Sequence, residues 1–483
     1  MGIKPVTRSQ NPGAIDNMYE LKPNETEFLE RCAEARKVAL SFKNPLVIHH
    51  FDADGISSGA IVQTAFRNAG IKYRAKWIKK LDDKIIEEVH SEQEIIFCDL
   101  GGGNKRVNEL SGDVLIIDHH QTEGVEKLQI NPLLFGIDGG DELSSAGATF
   151  CIFRNDVDVA ITGAVGDMQH PLKGMNRWVL EQGVQSGRVV IENDLRFYGR
   201  YSRPLLQFLL YSDDPYVPGI SYNEEGAKKL IADCGINQKE NGNEETAREN
   251  WQKYGELNEN EKRKIVSALA EILMRNGMAN KAKTLVGESY VFPHREQGSE
   301  TYEASEFSTL LNACGRHGKA EIGVRVCMNG DGKDTEAMMT AHSLLLHHRK
   351  MIRDGISFAK ENVQDLGKFY FLDGRGKIDE GIIGIICGMW LHPMAKKPVL
   401  GVSDGEPAAD GKPMIKISSR ANRLLLAEGV NLGIAIKETC EGIAHGAIGG
   451  GHRIAAGASV PKEKINEFLT RMGESLDKQR KNE

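Results

Sequence analysis

Four short apolar runs, Pro45–Ile48, Glu94–Phe97, Asp113–Ile117 and Val157–Ile161, punctuate the first third of the chain, with segments of helical period between them. Runs of this length and β-branched content, alternating with amphipathic stretches, predict a parallel sheet packed against helices. A further strand is expected at Tyr73–Ile78, after a helix starting near Ser57. Each apolar run leads into polar residues. The first continues into His49-His50-Phe51-Asp52-Ala53-Asp54-Gly55, the second into Cys98-Asp99-Leu100-Gly101, and the third into Asp118-His119-His120. The fourth passes through Thr162–Gly166 to Asp167. In an open parallel sheet, ligands bind in the crevice outside the carboxyl ends of the strands.

One aspartate after a strand ordinarily caps a helix or forms a turn, and a pair such as His347-His348 reads as a solvated helix face. The joint occurrence is another matter. Five carboxylates (Asp52, Asp54, Asp99, Asp118, Asp167) and four histidines (His49, His50, His119, His120) at one sheet edge would repel one another unless cations neutralise them. Mixed imidazole and carboxylate donors without thiolate suit Mn²⁺, Mg²⁺ or Co²⁺; zinc fits the donor types but not the carboxylate-rich count. The donors are too many for one ion. Two ions sharing a carboxylate, about 3.5–4 Å apart, form the usual device for phosphoester hydrolysis.

Composition narrows the class without naming a partner. The 483 residues suggest two or three domains at roughly 150 residues each. Lys and Arg total 61 against 68 Asp and Glu, a net charge of −7, so no global basic field announces nucleic acid, although a basic groove can sit on an acidic protein. No run approaches the roughly 20 apolar residues of a membrane span, and Met1–Glu20 lacks the apolar core of a signal peptide. The eight cysteines form no C-x-x-C pair and read as reduced thiols of a cytoplasmic protein.

Elsewhere the texture is helical at Glu25–Phe42, after Asp167, and through the charged, Asn/Glu-rich Asn237–Lys264. Ser305–Ala313 reads as a helix, Glu321–Met328 as a strand, and Glu336–Val363 as a long helix broken near Asp354-Gly355. The last section is again α/β. It has strands at Phe369–Leu372, Pro398–Ser403 and Met414–Ser419, helices at Gly381–Leu391 and Asn431–Glu441, a glycine turn at Gly449-Gly450-Gly451-His452, and a closing amphipathic helix.

Asp52-x-Asp54-Gly55, the isolated Asp99, the Asp118-His119-His120 triplet and Asp167 resemble the four motifs of the DHH phosphoesterase superfamily. Gly449-Gly-Gly-His452-Arg-Ile-Ala-Ala-Gly457 resembles the glycine-rich signature of its DHH-associated domain. Size and the helical middle resemble the archaeal RecJ-like exonucleases of the GINS-associated nuclease type. The implied fold is α/β, a parallel-sheet DHH domain plus a smaller α/β DHH-associated domain joined by a helical middle region. The expected boundaries are 1–43 for an N-terminal extension, 44–235 for the catalytic domain, 236–365 for the helical insertion and connection, and 366–475 for the substrate-binding domain.

The resemblance also implies roles. One ion would be held by His50 or His49 with Asp52 and Asp99, the second by Asp54, Asp99, His119 and Asp167, with Asp99 as bridge. His120 would face the scissile phosphate and Asp118 would orient imidazole. Four residues before Asp52, where other DHH enzymes often place the first histidine, this sequence has Ile48; His50 lies two before. Arg420, Gly450, Gly451, His452 and Arg453 would hold substrate phosphate. Phe51 and Trp390 are candidates for base stacking, with core packing the ordinary alternative.

The expectation is a two-metal hydrolase with Mn²⁺ or Mg²⁺ that degrades single-stranded DNA or RNA to 5′-mononucleotides in DNA replication or repair. The alternatives are a DHH phosphodiesterase acting on short oligonucleotides, cyclic dinucleotides or pyrophosphate, and a catalytically weak replisome scaffold that binds GINS. Expected partners are single-stranded nucleic acid and GINS or other replisome proteins, with no membrane.

Overall fold

The computed structural model describes residues 19–481 except 213–214, 237–251, 331, 333, 392–393, 409–410 and 444–445. It is mixed α/β and divides into two compact units, the division falling between Leu345 and Leu346.

In the first unit, helix α1 (Pro23–Ser41) precedes five strands, β1 (Leu46–His50), β2 (Arg74–Ile78), β3 (Glu94–Cys98), β4 (Asp113–Ile117) and β5 (Leu128–Ile130). They form one parallel sheet in the order β2-β1-β3-β4-β5. The order reverses between β1 and β3, the switch point at which a crevice opens beyond the strand ends. Register aligns those ends: His49 pairs with Cys98, and Cys98 with Ile117. His50, Asp99 and Asp118 therefore emerge side by side.

Helix α2 (Ala53–Ala69) starts where the Asp52 side chain caps it, accepting from the Gly55 N–H at 3.0 Å, and stops at Gly70 in the left-handed region. It is buried almost all round, between the sheet and helices α3 (Ser145–Phe153) and α4 (Val157–Gly166). Such closeness requires glycine at two places. A Cβ on Gly55 would lie 2.6 Å from the His50 carbonyl oxygen, and one on Gly163 would lie 2.5 Å from Ala146 Cβ and 2.7 Å from Asp54 Oδ1.

Downstream, β6 (Val190–Leu195) and β7 (Val286–Val291) form an antiparallel pair. The described helices between them, among them Leu205–Leu210, Glu224–Asp233 and Glu259–Arg275, close over their own core of Phe208, Tyr254 and Leu269. Much of the charged Asn237–Lys264 segment lies outside the described residues. Helices α5 (Ala304–Arg316) and α6 (Ala320–Met328) then pack on α2.

The second unit is a six-stranded sheet in the order β12-β13-β11-β10-β9-β8. Its strands are β8 (Gln364–Asp365), β9 (Tyr370–Asp373), β10 (Val399–Gly405), β11 (Met414–Arg420), β12 (Ile448–Gly451) and β13 (Ala455–Pro461). The helices Ile383–Trp390, Leu432–Glu441 and Ile465–Lys481 accompany it.

Several expectations are corrected. Val157–Ile161 is not a strand but the start of α4, and Glu321–Met328 is α6. Val157–Ile161 is buried on every side, where periodicity does not separate helix from strand, and Glu321–Met328 is a short apolar run of the same ambiguity. The helix Thr335–Asn362 is continuous through Gly355; a Cβ there would lie 2.2 Å from Ile386 Cδ1, so the glycine serves close packing rather than a break. The glycine run is not a turn but β12, an edge strand paired with β13. All eight cysteines are free and buried. Among the described residues no helix is long and apolar enough to cross a membrane.

Gly163→Ala should press on both α3 and Asp54, costing about 1–3 kcal/mol and lowering the thermal unfolding midpoint. An unchanged midpoint by calorimetry would refute the close-packing argument.

Candidate metal centre

The crevice is assembled from the ends of β1, β3 and β4 and, in place of the expected fourth strand, from the C-terminus of α4. His50 closes β1, and its Nδ1 lies 3.0 Å from Asp52 Oδ2 and 3.2 Å from Asp99 Oδ2. Asp52 thus serves twice, its other oxygen capping α2. Asp54, in the first turn of α2, is 1% exposed. Its two oxygens accept from the backbone N–H groups of Ser145 (2.8 Å) and Ala146 (3.0 Å), at the start of α3.

Asp99 follows β3 with φ +64°, in the left-handed region that aspartate enters at a cost. The turn brings its carboxylate to the centre of the group. Oδ1 accepts from Ser145 Oγ at 3.0 Å and lies 3.3 Å from His119 Nε2; Oδ2 faces His50. Asp167 caps α4, its Oδ2 held by Gln169 Nε2 at 2.8 Å and lying 3.7 Å from His119 Nδ1. Three sets of potential ligand atoms result, each within 4.8 Å: His50, Asp52 and Asp99; Asp54, His119 and Asp167; and Asp99, His119 and His120.

Asp118 stands behind these sets. It accepts from the backbone N–H groups of His119, His120 and Gly102 and lies 2.8 Å from His120 Nδ1. That contact leaves the His120 ring 57% exposed at the rim. His49 turns away, 2% exposed, with Nδ1 toward the His50 carbonyl. Phe51 places its ring edge-on to His50 at 4.7 Å, and Trp390 packs against Tyr370.

Electrostatics make the crevice a proton trap in the protein alone. Burial by itself would lower the pKa of His50, but hydrogen bonds to Asp52 and Asp99 carry it up to about 11. His119 is likewise opposed by burial and carried up to about 11 by Asp99, Asp54 and Asp167. Asp54 and Asp167 are pushed up by burial and by Asp99. Asp99, despite its burial, is held far down by His119 and His50.

One atom tests whether a cation fits. His119 Nδ1 lies 2.6 Å from the Gly139 carbonyl, which only accepts, so Nδ1 carries the proton. In the neutral ring Nε2 then directs a lone pair at Asp99 Oδ1, with Asp54 Oδ2 4.0 Å away, and it is a buried atom without a hydrogen-bond partner. Acceptor facing acceptor is resolved by a proton or by a metal ion. The oxygen and imidazole donors, and the absence of any cysteine from these sets, fit a hard to borderline divalent ion.

Sequence reasoning missed the supports: Ser145, the first N–H groups of α3, the Gly139 carbonyl and Gln169. The signal for α3 was present, since Ser144 is its N-cap and its side chain accepts from the Gly147 N–H.

In the second unit, Arg420 ends β11 opposite Ala455, and Gly451 lies opposite Ala456, so β13 sets the two on either side of itself. The Arg420 guanidinium is half-buried and donates to the Ser419 carbonyl at 2.8 Å; among the described residues no carboxylate pairs with it, and burial pulls its pKa down. Gly450 faces open space, and His452 and Arg453 are exposed.

Two family models match the chain, a DHH-CID domain over residues 197–286 and a DHHA1 domain over residues 367–478. An uncharacterized protein of Methanocaldococcus jannaschii is 28% identical over 480 residues, covering 93% of this chain and 99% of that one. Among solved structures, RecJ of Thermus thermophilus in complex with Mn²⁺ superposes with a TM-score of 0.57 at 17% identity, over 96% of this chain and 56% of that one. This chain thus spans little more than half of that RecJ. An exonuclease RecJ bound to manganese gives 0.55 at 16% identity (97% and 98% covered). CDC45 of Entamoeba histolytica gives 0.59 at 12% identity (94% and 99%). At these identities the likeness is one of fold.

Because His50 and His119 must shed protons to ligate, Mn²⁺ binding should release protons and tighten from pH 6 to pH 8; calorimetry in buffers of different ionisation enthalpy reads both. An affinity independent of pH would contradict the proton trap. Ser145→Ala, which frees one Asp99 oxygen, should weaken Mn²⁺ roughly 10–100-fold.

Proposed function

We propose, from the premise that the chain is a RecJ-like protein of the DHH superfamily, that it is a single-strand-specific exonuclease. It hydrolyses DNA or RNA to 5′-mononucleotides with two Mn²⁺ or Mg²⁺ ions. The observation that carries the reading is His119 Nε2, buried, without a hydrogen-bond partner, and aimed at the Asp99 carboxylate 3.3 Å away.

His50, Asp52 and Asp99 would hold one ion, and Asp54, Asp99, His119 and Asp167 the other, with Asp99 shared. When bound, the ions supply Lewis acidity toward water and the phosphodiester. The chain's own residues do the rest. Asp118 fixes the His120 ring and raises its pKa, so the ring presents a proton at the rim to a phosphate oxygen. Arg420, with no carboxylate paired to it among the described residues, would take a phosphate in its fork, and N–H groups near Gly450 and Gly451 would approach another oxygen, with His452 and Arg453 adding charge. A second reading, a replisome scaffold that binds GINS, is favoured by the CDC45-like fold, but the intact carboxylate set argues for catalysis.

The test uses single-stranded DNA and RNA, labelled at the 5′ or the 3′ end, with Mn²⁺, Mg²⁺ or chelator. Mononucleotide release that requires metal is expected, and the label freed first gives the polarity. Asp99→Ala should abolish release, and activity within about tenfold of wild type would overturn the assignment. Arg420→Ala should raise KM and leave Mn²⁺ affinity unchanged. Silence on every polymer by a protein that still binds Mn²⁺ would favour the scaffold or an enzyme of short oligonucleotides.

A further inference from the structure

Apart from the carboxylate crevice, the first unit contains a cavity of about 810 Å³ at the β2 edge of the sheet. Its floor is set by strand alternation. Tyr73, Ala75 and Trp77 lie two residues apart on one face, and Trp77 is in register with His49 of β1. One wall is α2, through Gln63 and Arg67, one turn apart. The other is α6, through Val324 and Met328, also one turn apart.

Two polar side chains in this cavity keep polar atoms unpaired among the described residues. Gln63 is 7% exposed, and its carboxamide makes no hydrogen bond with any described residue. His49 is 2% exposed; its Nδ1 lies 2.8 Å from the His50 carbonyl, so Nδ1 is the protonated nitrogen and Nε2 offers a lone pair. No described residue donates to that Nε2. These atoms open into the cavity, where water or a ligand can answer them. An amide, both donor and acceptor, beside an imidazole acceptor matches the mixed edge of a heteroaromatic base.

The remaining walls fit the rest of a nucleotide. Trp77 is fixed by its Nε1–H donating to Glu321 at 2.9 Å, and with Tyr73 it supplies aromatic surface next to the small Ala75. The cations differ in commitment: Lys76 pairs with Glu88 and Arg325 with Asp334, whereas among the described residues no carboxylate pairs with Arg67. An apolar ligand would leave Gln63, His49 and Arg67 unanswered.

We propose that this cavity binds a nucleotide unit, the base against Trp77 and Tyr73 with its edge read by Gln63 and His49, and the phosphate at Arg67. The unit is either a free mononucleotide or one nucleotide of a strand. The proposal needs no hydrolysis, so it stands or falls separately from the exonuclease reading.

The test is run on the full chain in chelator, where no turnover occurs. Tryptophan fluorescence and calorimetry follow titration with the four ribonucleoside monophosphates and, separately, with a short single-stranded oligonucleotide. Saturable binding is expected, weakened by about tenfold or more in both Gln63→Leu and Arg67→Ala, with Mn²⁺ affinity of both variants unchanged as proof of folding. Trp77→Phe should reduce the fluorescence change while calorimetry still records binding. Saturation by a monophosphate identifies a free nucleotide as the ligand, and saturation by the oligonucleotide alone identifies a strand. Failure of both to saturate at millimolar concentration, or binding undisturbed in either folded variant, would overturn the proposal.

Discussion

A carboxylate buried as deeply as Asp54 survives only among donors, and it finds them in the first turn of α3. The arrangement combines two effects. The unpaired N–H groups of a helix start need acceptors, and the positive end of the helix favours a nearby anion. The same turn reaches Asp99 through Ser145 Oγ. One helix start therefore ties a residue of α2 to the residue after β3, so each of the three potential ligand sets has a member held before any cation arrives. Gly163 and Gly55 leave room for that approach, so small-residue packing and site chemistry are one constraint.

The crevice was legible because its donors follow strand ends in sequence, and parallel topology gathers strand ends. His50, Asp52, Asp54, Asp99, Asp118, His119 and His120 needed only that rule. Asp167 was found for a partly wrong reason, since it ends a helix. A fully buried helix such as α4 and a central strand present the same unbroken apolar run, and tertiary enclosure decides between them. The supports were less legible. Gly139 contributes only a backbone carbonyl and Ser145 a common hydroxyl, and neither residue type signals its task. The glycine run was legible as chemistry and misread as shape: glycine suggests turns locally, but here a neighbouring strand, β13, pairs with it. The nearly unpartnered Gln63 and His49 cannot be seen in sequence at all, because an absent hydrogen bond is a property of packing.

RecJ and CDC45 superpose on this chain about equally well, and fold alone therefore does not say what a chain of this architecture does. The difference has to reside in individual side chains. Here those side chains form a consistent set: carboxylates that crowd, imidazoles whose tautomers are fixed by carbonyl or carboxylate partners, and an arginine in the second unit without an acidic partner among the described residues.

Asp99 also marks a place where backbone comfort and side-chain chemistry pull apart. Its backbone sits where glycine or asparagine would rest more easily, and what aspartate adds there is a carboxylate held by Ser145 and facing two histidines. A lineage released from that chemistry would drift toward glycine or asparagine at this position, recovering local stability as it shed function. The identity of this left-handed residue is therefore a place to compare copies of the same architecture, and in this chain it is the residue that brings a carboxylate.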